Sequence, residues 1–202
     1  MSTRETSRPR EQYHHGDLRT ALVAATRQLV EEKGQDGFSV SDACRLAGVS
    51  TAAPYRHFSD RNAMLEAVAL DAMAEMADQM DADMAGHEPG SPDAIAALGT
   101  GYVRFATANP GTFRLAFAAH DDSEKLEEAG HRCYGRVLDQ IRMHFGDSEI
   151  TDRVRHQAFL LWTFVHGLSF LSIDGKTDFA NMQDQMPQVV RTATERLLVK
   201  GG

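Results

Sequence analysis

The chain has 202 residues, of which 42% are hydrophobic and 25% charged, and its formal net charge is −8. This length is enough for one small and one larger helical domain, each with its own core. No stretch approaches eighteen uninterrupted apolar residues and the N-terminus is polar, so we expect neither a membrane span nor a signal peptide. The two cysteines, Cys44 and Cys133, are far apart and lack metal-ligand spacing, which favours a reduced, cytoplasmic protein.

The negative charge is confined to the C-terminal part. Residues 1–66 hold nine basic and nine acidic side chains, whereas residues 67–202 hold twelve and twenty. A neutral N-terminal part predicts weak non-specific affinity for nucleic acid. Residues 1–16 are predicted to be a flexible arm. Its arginines either reach DNA phosphates or the minor groove, or touch nothing.

Two short helices joined by a glycine are predicted between Ser39 and Phe58. An apolar-periodic first helix precedes them, beginning at Asp17 and ending at Gly34. Ser39, followed three residues later by an aspartate, predicts an N-cap. Gly48 stands where the chain must turn, and Ser50 is predicted to cap a second helix from Thr51 onward. This arrangement is typical of a helix-turn-helix, whose second helix enters the major groove of DNA.

The remainder predicts helix after helix. We expect helices over about 60–84, 93–118 with a break at Pro110, 123–145, 151–173 and 185–199, and we find no period-two alternation. The predicted class is all-α. An N-terminal three-helix DNA-binding domain, residues 17–60, is followed by a larger helical domain, residues 61–202, for effector binding and dimerisation.

The stretch from Asp17 to Val68 resembles the DNA-binding domain of the TetR family of bacterial regulators. The matching residues are Phe38-Ser39-Val40, Ala47-Gly48-Val49-Ser50, Tyr55-Arg56-His57-Phe58 and Asp60-Arg61-Asn62-Ala63-Met64-Leu65. A looser similarity covers Asn109 to Leu115 and Trp162 to Gly167, and it resembles a TetR subgroup marked by tryptophan, histidine and glycine. The chain departs from the family at Ala43-Cys44, Ala52 and Arg61. The last two departures fall on the predicted DNA surface and leave base preference open.

The resemblance implies phosphate contacts for Tyr55 and His57, although both also suit a core. Small side chains at the start of the recognition helix suit close approach to bases, a thymine methyl in particular, but they are also ordinary first-turn residues. Arg56 and Arg61 lie at the two ends of this helix and favour phosphate pairing over simple solvation. The predicted DNA-binding set is Ser39, Ser50, Thr51, Ala52, Ala53, Tyr55, Arg56, His57 and Arg61.

His166 lies in a strongly apolar stretch, so it must either find a hydrogen-bond partner or face a cavity. We predict an effector pocket beside the long helix after Ser59, with a largely apolar ligand whose polar group meets His166. The predicted pocket residues are Phe105, Phe117, Val137, Trp162 and His166. The methionines Met73, Met76, Met80 and Met84 are predicted mainly as core residues that adapt to a ligand's shape. The alternatives are a structural histidine and a domain that only dimerises.

The last two long helices are predicted to form a four-helix dimer contact with a second copy. The alternative is a terminal helix that packs only on its own chain. The predicted interface residues are Gly167, Ser169, Val189, Val190, Ala193 and Leu197.

The predicted function is a homodimeric, sequence-specific transcriptional regulator that binds double-stranded operator DNA, most simply a repressor released by a small molecule. The alternative is a helical interaction or adaptor protein without specific DNA binding. No nucleophile-base-acid set, phosphate loop or metal cluster is visible, so we expect no enzyme activity, cofactor or metal.

Overall fold

The computed structural model describes residues 15–118, 123–177 and 183–198, with the side chains of 15–17 and 183 left aside. Within these ranges the chain is all-helical, as predicted. The predicted arm falls almost wholly outside the described residues. The helices are α1 His15–Gly37, α2 Val40–Ala47, α3 Arg61–Met84, α4 Pro92–Ala108, α5 Pro110–Ala116, α6 Glu124–Phe145, α7 Asp152–Ile173 and α8 Met186–Leu197. Short 3₁₀ helices occupy Pro54–Arg56 and Gln183–Gln185.

Local capping residues set most of these boundaries. The hydroxyl of Ser39 accepts the backbone N–H of Asp42 at 3.1 Å, and Ser91, Ser123 and Thr151 cap α4, α6 and α7 in the same way. Gly48 follows α2 with φ 69°, in the left-handed region that glycine adopts at little cost. Pro110 separates α4 from α5 as predicted. The first helix starts at His15, two residues before the predicted start, and it leaves helical geometry at Gly34 (φ 73°, ψ 170°), where the sequence predicted its end.

The predicted recognition helix from Thr51 to Phe58 is wrong in its extent. Only the turn Pro54–Arg56 is helical, and it is a 3₁₀ helix. In a helix capped by Ser50, residue 54 would be the first to donate its N–H to the Ser50 carbonyl, and proline has no N–H. The carbonyl accepts instead from Ala53, at 3.0 Å, which tightens the segment into i+3 turns. Pro54 therefore disrupts the predicted helix more than its position in the first turn suggested.

Two apolar cores share α3: one lies in the N-terminal head, residues 15 to about 72, and the other in the C-terminal body, which continues from there. The head core comprises α1, α2 and the first half of α3, including Met64, Leu65 and Val68, together with Leu115 and Leu126 from the body. The body core is formed by the second half of α3 with α4, α6, α7 and α8. One continuous helix therefore contributes to both cores.

Candidate functional site: DNA-reading face and internal cavity

The turn after Gly48 presents an exposed face. Tyr55 is 63% exposed, which excludes the alternative that it belongs to the core. Ser50, Thr51, Ala52 and Arg56 are exposed as well. Arg56 forms no ion pair within the described part of the chain. A small, exposed surface with one uncommitted cation and one aromatic hydroxyl suits contact with a phosphate backbone.

A further large apolar residue of the head is exposed. Leu46, in the last turn of α2, is 46% exposed. It lies off the buried stripe of α2, which contains Ala43 and Cys44. The sequence could have predicted this exposure from the position of Leu46 in the helix. An apolar side chain that lies off the buried face of a short helix must meet solvent or a partner.

Three predicted DNA-binding residues contact the rest of the head or are half-buried in it. Ser39 caps α2 by accepting the backbone N–H of Asp42, and its hydroxyl is the main cause lowering the pKa of the Asp42 carboxyl. His57 is half-buried, and its Nε2 meets no hydrogen-bond partner among the described residues. Ala53 is also half-buried. These positions leave less side-chain surface for DNA than Tyr55 or Arg56 offers.

Arg61 takes a structural position that differs from the predicted phosphate contact. Its Nε donates to the Phe38 carbonyl at 3.2 Å, and its Nη2 donates to the Gln35 carbonyl. The guanidinium also stacks over the Phe38 ring, 5.3 Å from the centroid. Arg61 therefore ties the start of α3 to the end of α1, and it is not part of the proposed DNA surface.

A partly open cavity of about 320 Å³ lies between α3, α4, α6 and α7. Phe117, Val137 and Trp162 line it, as the predicted pocket requires. Most of the wall was not predicted from the sequence. It consists of Met73, Met76, Met80, Ile95, Leu98, Gly99, Tyr102, Gly130, His131, Cys133, Tyr134, Phe159, Leu161, Val165 and Thr194. Three methionines of the predicted run are among them, whereas Met84 is not.

Two predicted pocket residues lie elsewhere. Phe105 is buried in the body core and is not part of the cavity wall. His166 is also absent from the wall, and its Nδ1 lies 2.8 Å from the hydroxyl of Tyr102, which does line the cavity. Because Tyr102 is buried, its hydroxyl needs a partner, and His166 supplies it. Tyr102 is therefore a polar residue of the cavity wall, and His166 lies behind it.

Burial shifts the titration of both members of this pair. Desolvation lowers the pKa of His166 below its ordinary value, so the imidazole is favoured in its neutral form. Desolvation also raises the pKa of the Tyr102 phenol far above its usual range. Both groups are thus neutral at physiological pH, and the contact between them is a hydrogen bond between uncharged partners.

The predicted dimer surface is only partly exposed. Ser169 is fully buried within its own chain, where its hydroxyl donates to the Val165 carbonyl, and Val190 is 1% exposed in the body core. These two residues are therefore removed from the predicted interface. Gly167 is exposed, and Val189, Ala193 and Leu197 are half-buried. The predicted helical periodicity was correct. It could not distinguish the residues that face the chain's own core from the adjacent residues that remain exposed.

An apolar row remains open along α7. Phe159 and Leu171 are 55% and 52% exposed, and Thr163 and Gly167 lie between them at intervals of four residues. A Cβ built on Gly167 meets nothing within 4 Å. Large apolar side chains in such a row are typical of a surface that a partner covers.

Head and body meet where α1 reaches the start of α5. The Glu31 carboxylate accepts hydrogen bonds from the backbone N–H of Gly111 at 2.7 Å and of Thr112 at 2.9 Å. A Cβ on Gly111 would lie 2.6 Å from the Val30 carbonyl oxygen, so only glycine allows this approach. Arg27 adds a hydrogen bond to Asn109 and an ion pair with Glu75 of α3. This corner joins α1, α3 and α5.

Comparison with known proteins agrees with this geometry. The family description "Tetracyclin repressor-like, C-terminal domain" matches residues 95–197, and "Bacterial regulatory proteins, tetR family" matches residues 22–68. The fold and its N-terminal head define a DNA-binding transcriptional regulator of the helix-turn-helix class. The chain belongs to the TetR family. In the helices that the structure describes, none is long and apolar enough to cross a membrane.

Individual relatives span nearly the whole chain. The HTH-type transcriptional regulator Rv1816 of Mycobacterium tuberculosis is 26% identical, covering 90% of this chain and 91% of the relative. A solved protein of unknown function from Rhodococcus sp. RHA1 is 29% identical, with a TM-score of 0.77 over 94% of this chain and 97% of that one. A TetR-family regulator from Streptomyces coelicolor shares the fold, with a TM-score of 0.72 at 15% identity and coverage of 91% and 80%.

Proposed function

We propose that the chain is a homodimeric repressor that a small molecule releases from a near-palindromic operator. The observation that carries the proposal is the composition of the cavity wall. Met73, Met76 and Met80 of α3 line the cavity, while the first half of α3 belongs to the head core. An occupant of the cavity therefore presses on the same helix that positions the DNA-reading turn.

The head is proposed to read DNA through two kinds of contact. Tyr55 and Arg56 would bind phosphates, with Ser39, Ser50 and His57 beside them, and Thr51, Ala52 and Ala53 would approach base edges. A dimer with two heads requires half-sites about one helical turn apart, because the protein's two-fold axis must match that of the duplex. This part of the proposal places the protein in the cytoplasm, where the DNA is.

Two connections support control of the head by the cavity. The first is α3 itself. The second passes through Phe113 of α5, whose ring packs 5.5 Å from the ring of Tyr102 and 4.8 Å from that of Phe117, both in the cavity wall. At the start of the same helix, Gly111 and Thr112 bind Glu31 of α1. A ligand that shifts α3 or α5 would thus alter the spacing of the two heads.

The dimer is proposed to use the open row on α7 together with Val189, Ala193 and Leu197 of α8. Assignment to the tryptophan, histidine and glycine subgroup also remains part of the proposal. It is supported by the placement of Trp162 at the cavity, His166 behind it and Gly167 on the open row. The division into residues 17–60 and 61–202 is retained, with the qualification that the head packs on the first half of α3.

Selection from random DNA sequences tests the DNA-binding part. We expect the purified protein to enrich a near-palindrome and to bind it as a dimer. Failure to enrich any sequence would overturn the proposal and favour an adaptor protein without specific DNA binding.

Once an effector is found, titrating it against the free protein and the protein–operator complex tests control. Coupling of the usual size predicts an affinity for the free protein about 5- to 150-fold higher. Equal affinities would show that the cavity binds the compound without switching the protein.

A further inference from the structure

Among the residues that the structure describes, no aspartate, glutamate, lysine or arginine lines the cavity. Of its lining residues, only His131 has a basic ring, and it is exposed to solvent. The rest are apolar or carry a neutral hydroxyl, indole or thiol group. An ion entering such a cavity would lose its hydration without gaining a partner of opposite charge.

Two hydroxyl-bearing residues of this apolar wall are buried, Tyr102 of α4 and Thr194 of α8, which is 2% exposed. The hydroxyl of Tyr102 is the one that meets His166. Tyr102 of α4 is 4% exposed, whereas Phe159 and His131 in the same wall are open to solvent. Its hydroxyl lies 2.8 Å from Nδ1 of His166. Phe113, Phe117 and Phe170 surround that imidazole, with ring centroids between 4.9 and 5.9 Å away, and fix its plane.

The hydrogen-bonding capacity of this pair is not used up by the contact itself. A phenol has one donor hydrogen and two acceptor lone pairs. The indole N–H of Trp162 also donates to the phenol oxygen and takes one lone pair. If Tyr102 donates to His166, the second lone pair of its oxygen remains an acceptor. If His166 donates, the phenol hydrogen remains free. With either tautomer of His166, Tyr102 can therefore form a hydrogen bond to a ligand. A ligand hydroxyl group suits both tautomers because it can donate and accept.

We infer that the cavity selects an uncharged, compact, mainly hydrocarbon ligand carrying one hydroxyl-type group, that Tyr102 binds this group, and that His166 acts as a positioning residue. The inference rests on the proposed function and names the ligand class of its effector site. The cavity volume of about 320 Å³ is roughly twice that of an engineered cavity that holds benzene, which indicates a ligand of about a dozen non-hydrogen atoms.

Four rigid probes with the same hydrocarbon cage test the ligand class: 1-adamantanol, 1-chloroadamantane, adamantane-1-carboxylate and 1-adamantylammonium. The chain has a single tryptophan, Trp162, and it lines the cavity, so its fluorescence reports occupancy. At neutral pH we expect the alcohol to bind at least about tenfold more tightly than either ion, since an unpaired buried charge is strongly disfavoured. Tighter binding of the carboxylate or the ammonium ion would overturn the inference while leaving the cavity as a binding site.

Variants of the pair test the roles of its two members. Tyr102→Phe should weaken 1-adamantanol roughly three- to tenfold, as expected for one hydrogen bond, and leave 1-chloroadamantane within about twofold. His166→Ala should weaken the alcohol similarly, and His166→Asn should restore part of the loss, since an amide can reach the same region. Adding His166→Ala to Tyr102→Phe should have little further effect on alcohol binding.

Three results separate the possible failures. Equal losses for the alcohol and the chloride in Tyr102→Phe would show that Tyr102 only shapes the cavity. A further loss in the double variant would show that His166 contacts the ligand itself. If none of the four probes alters Trp162 fluorescence or stabilises the protein against heat, the cavity does not take this ligand class and the inference is wrong. DNA selection is unaffected by that result, so the regulator proposal would still be judged separately.

Discussion

One carboxylate oxygen of Glu31 in α1 accepts two hydrogen bonds from Thr112 in α5. Oε1 accepts the backbone N–H of Thr112 at 2.9 Å and the Thr112 hydroxyl at 2.6 Å. Thr112 is completely buried, and the two residues are 81 positions apart. A carboxylate at a helix N-terminus satisfies unpaired N–H groups and interacts favourably with the helix dipole. The cap of a body helix is therefore supplied by the head.

Removing this cap should destabilise the protein. Glu31→Ala leaves buried N–H donors of α5 without an acceptor, and we expect the free energy of unfolding to fall by about 1–3 kcal/mol. Urea denaturation followed by circular dichroism measures it. Glu32→Ala, at the exposed neighbouring position, is the matched control and should cost about 0.5 kcal/mol or less. Equal effects of the two substitutions would show that the cap contributes nothing specific.

DNA binding should depend on Arg56 through charge. Arg56→Ala should weaken binding to specific and non-specific DNA alike, by about tenfold, because phosphate contacts carry no base information. The dependence of log affinity on log salt should become shallower by about 0.9 for each phosphate that is no longer neutralised. Fluorescence anisotropy at several salt concentrations measures both effects. Arg155→Ala, an exposed change on α7, should alter neither; an unchanged salt slope in Arg56→Ala would show that this residue does not bind phosphate.

The open row on α7 should control the oligomeric state. Leu171→Glu introduces a charge where a second copy is proposed to pack, so we expect monomers with native helical content that no longer bind operator. Light scattering and circular dichroism check this result. Lys125→Glu is an exposed charge reversal on α6, outside this row, and should remain dimeric. A dimeric Leu171→Glu protein would contradict the assignment. Val190 is unsuitable for this test, since a charge there would disrupt the body core.

Stability should depend on pH partly through His166. Its pKa is lowered in the folded protein, so the unfolded chain binds the proton more readily once the pH falls below the ordinary value of about 6.5. The contribution of His166 to the free energy of unfolding is therefore full above pH about 6.5. It is lost as the pH falls towards the lowered pKa of the folded protein. Urea titrations at pH 7.5 and about 5.5 should show a smaller loss for His166→Asn than for the unaltered protein. An identical pH dependence would mean that His166 titrates alike in both states.

Most helices and several of their ends follow from the sequence alone, because they depend on neighbouring residues. Ser39, Ser91, Ser123 and Thr151 each cap a helix through the residue three positions later, and Gly48 turns the chain within a single residue. The all-α class and the helix-turn-helix resemblance follow from such local signals. The prediction of the recognition helix was wrong for a local reason as well. The effect of the missing N–H at Pro54 depends on its exact position in the turn.

Tertiary structure decided which groups meet. Tyr102 and His166 are 64 residues apart, Arg61 and the Phe38 carbonyl 23, and Glu31 and Thr112 81. A hydrophobic stripe shows that a helix buries one face, but not what lies against it. The same stripe therefore contains Val190, packed inside the chain, and Leu197, half-exposed beside it. Polar pairs such as Tyr102 and His166 have no periodicity at all, because long-range packing alone brings their atoms within hydrogen-bonding distance.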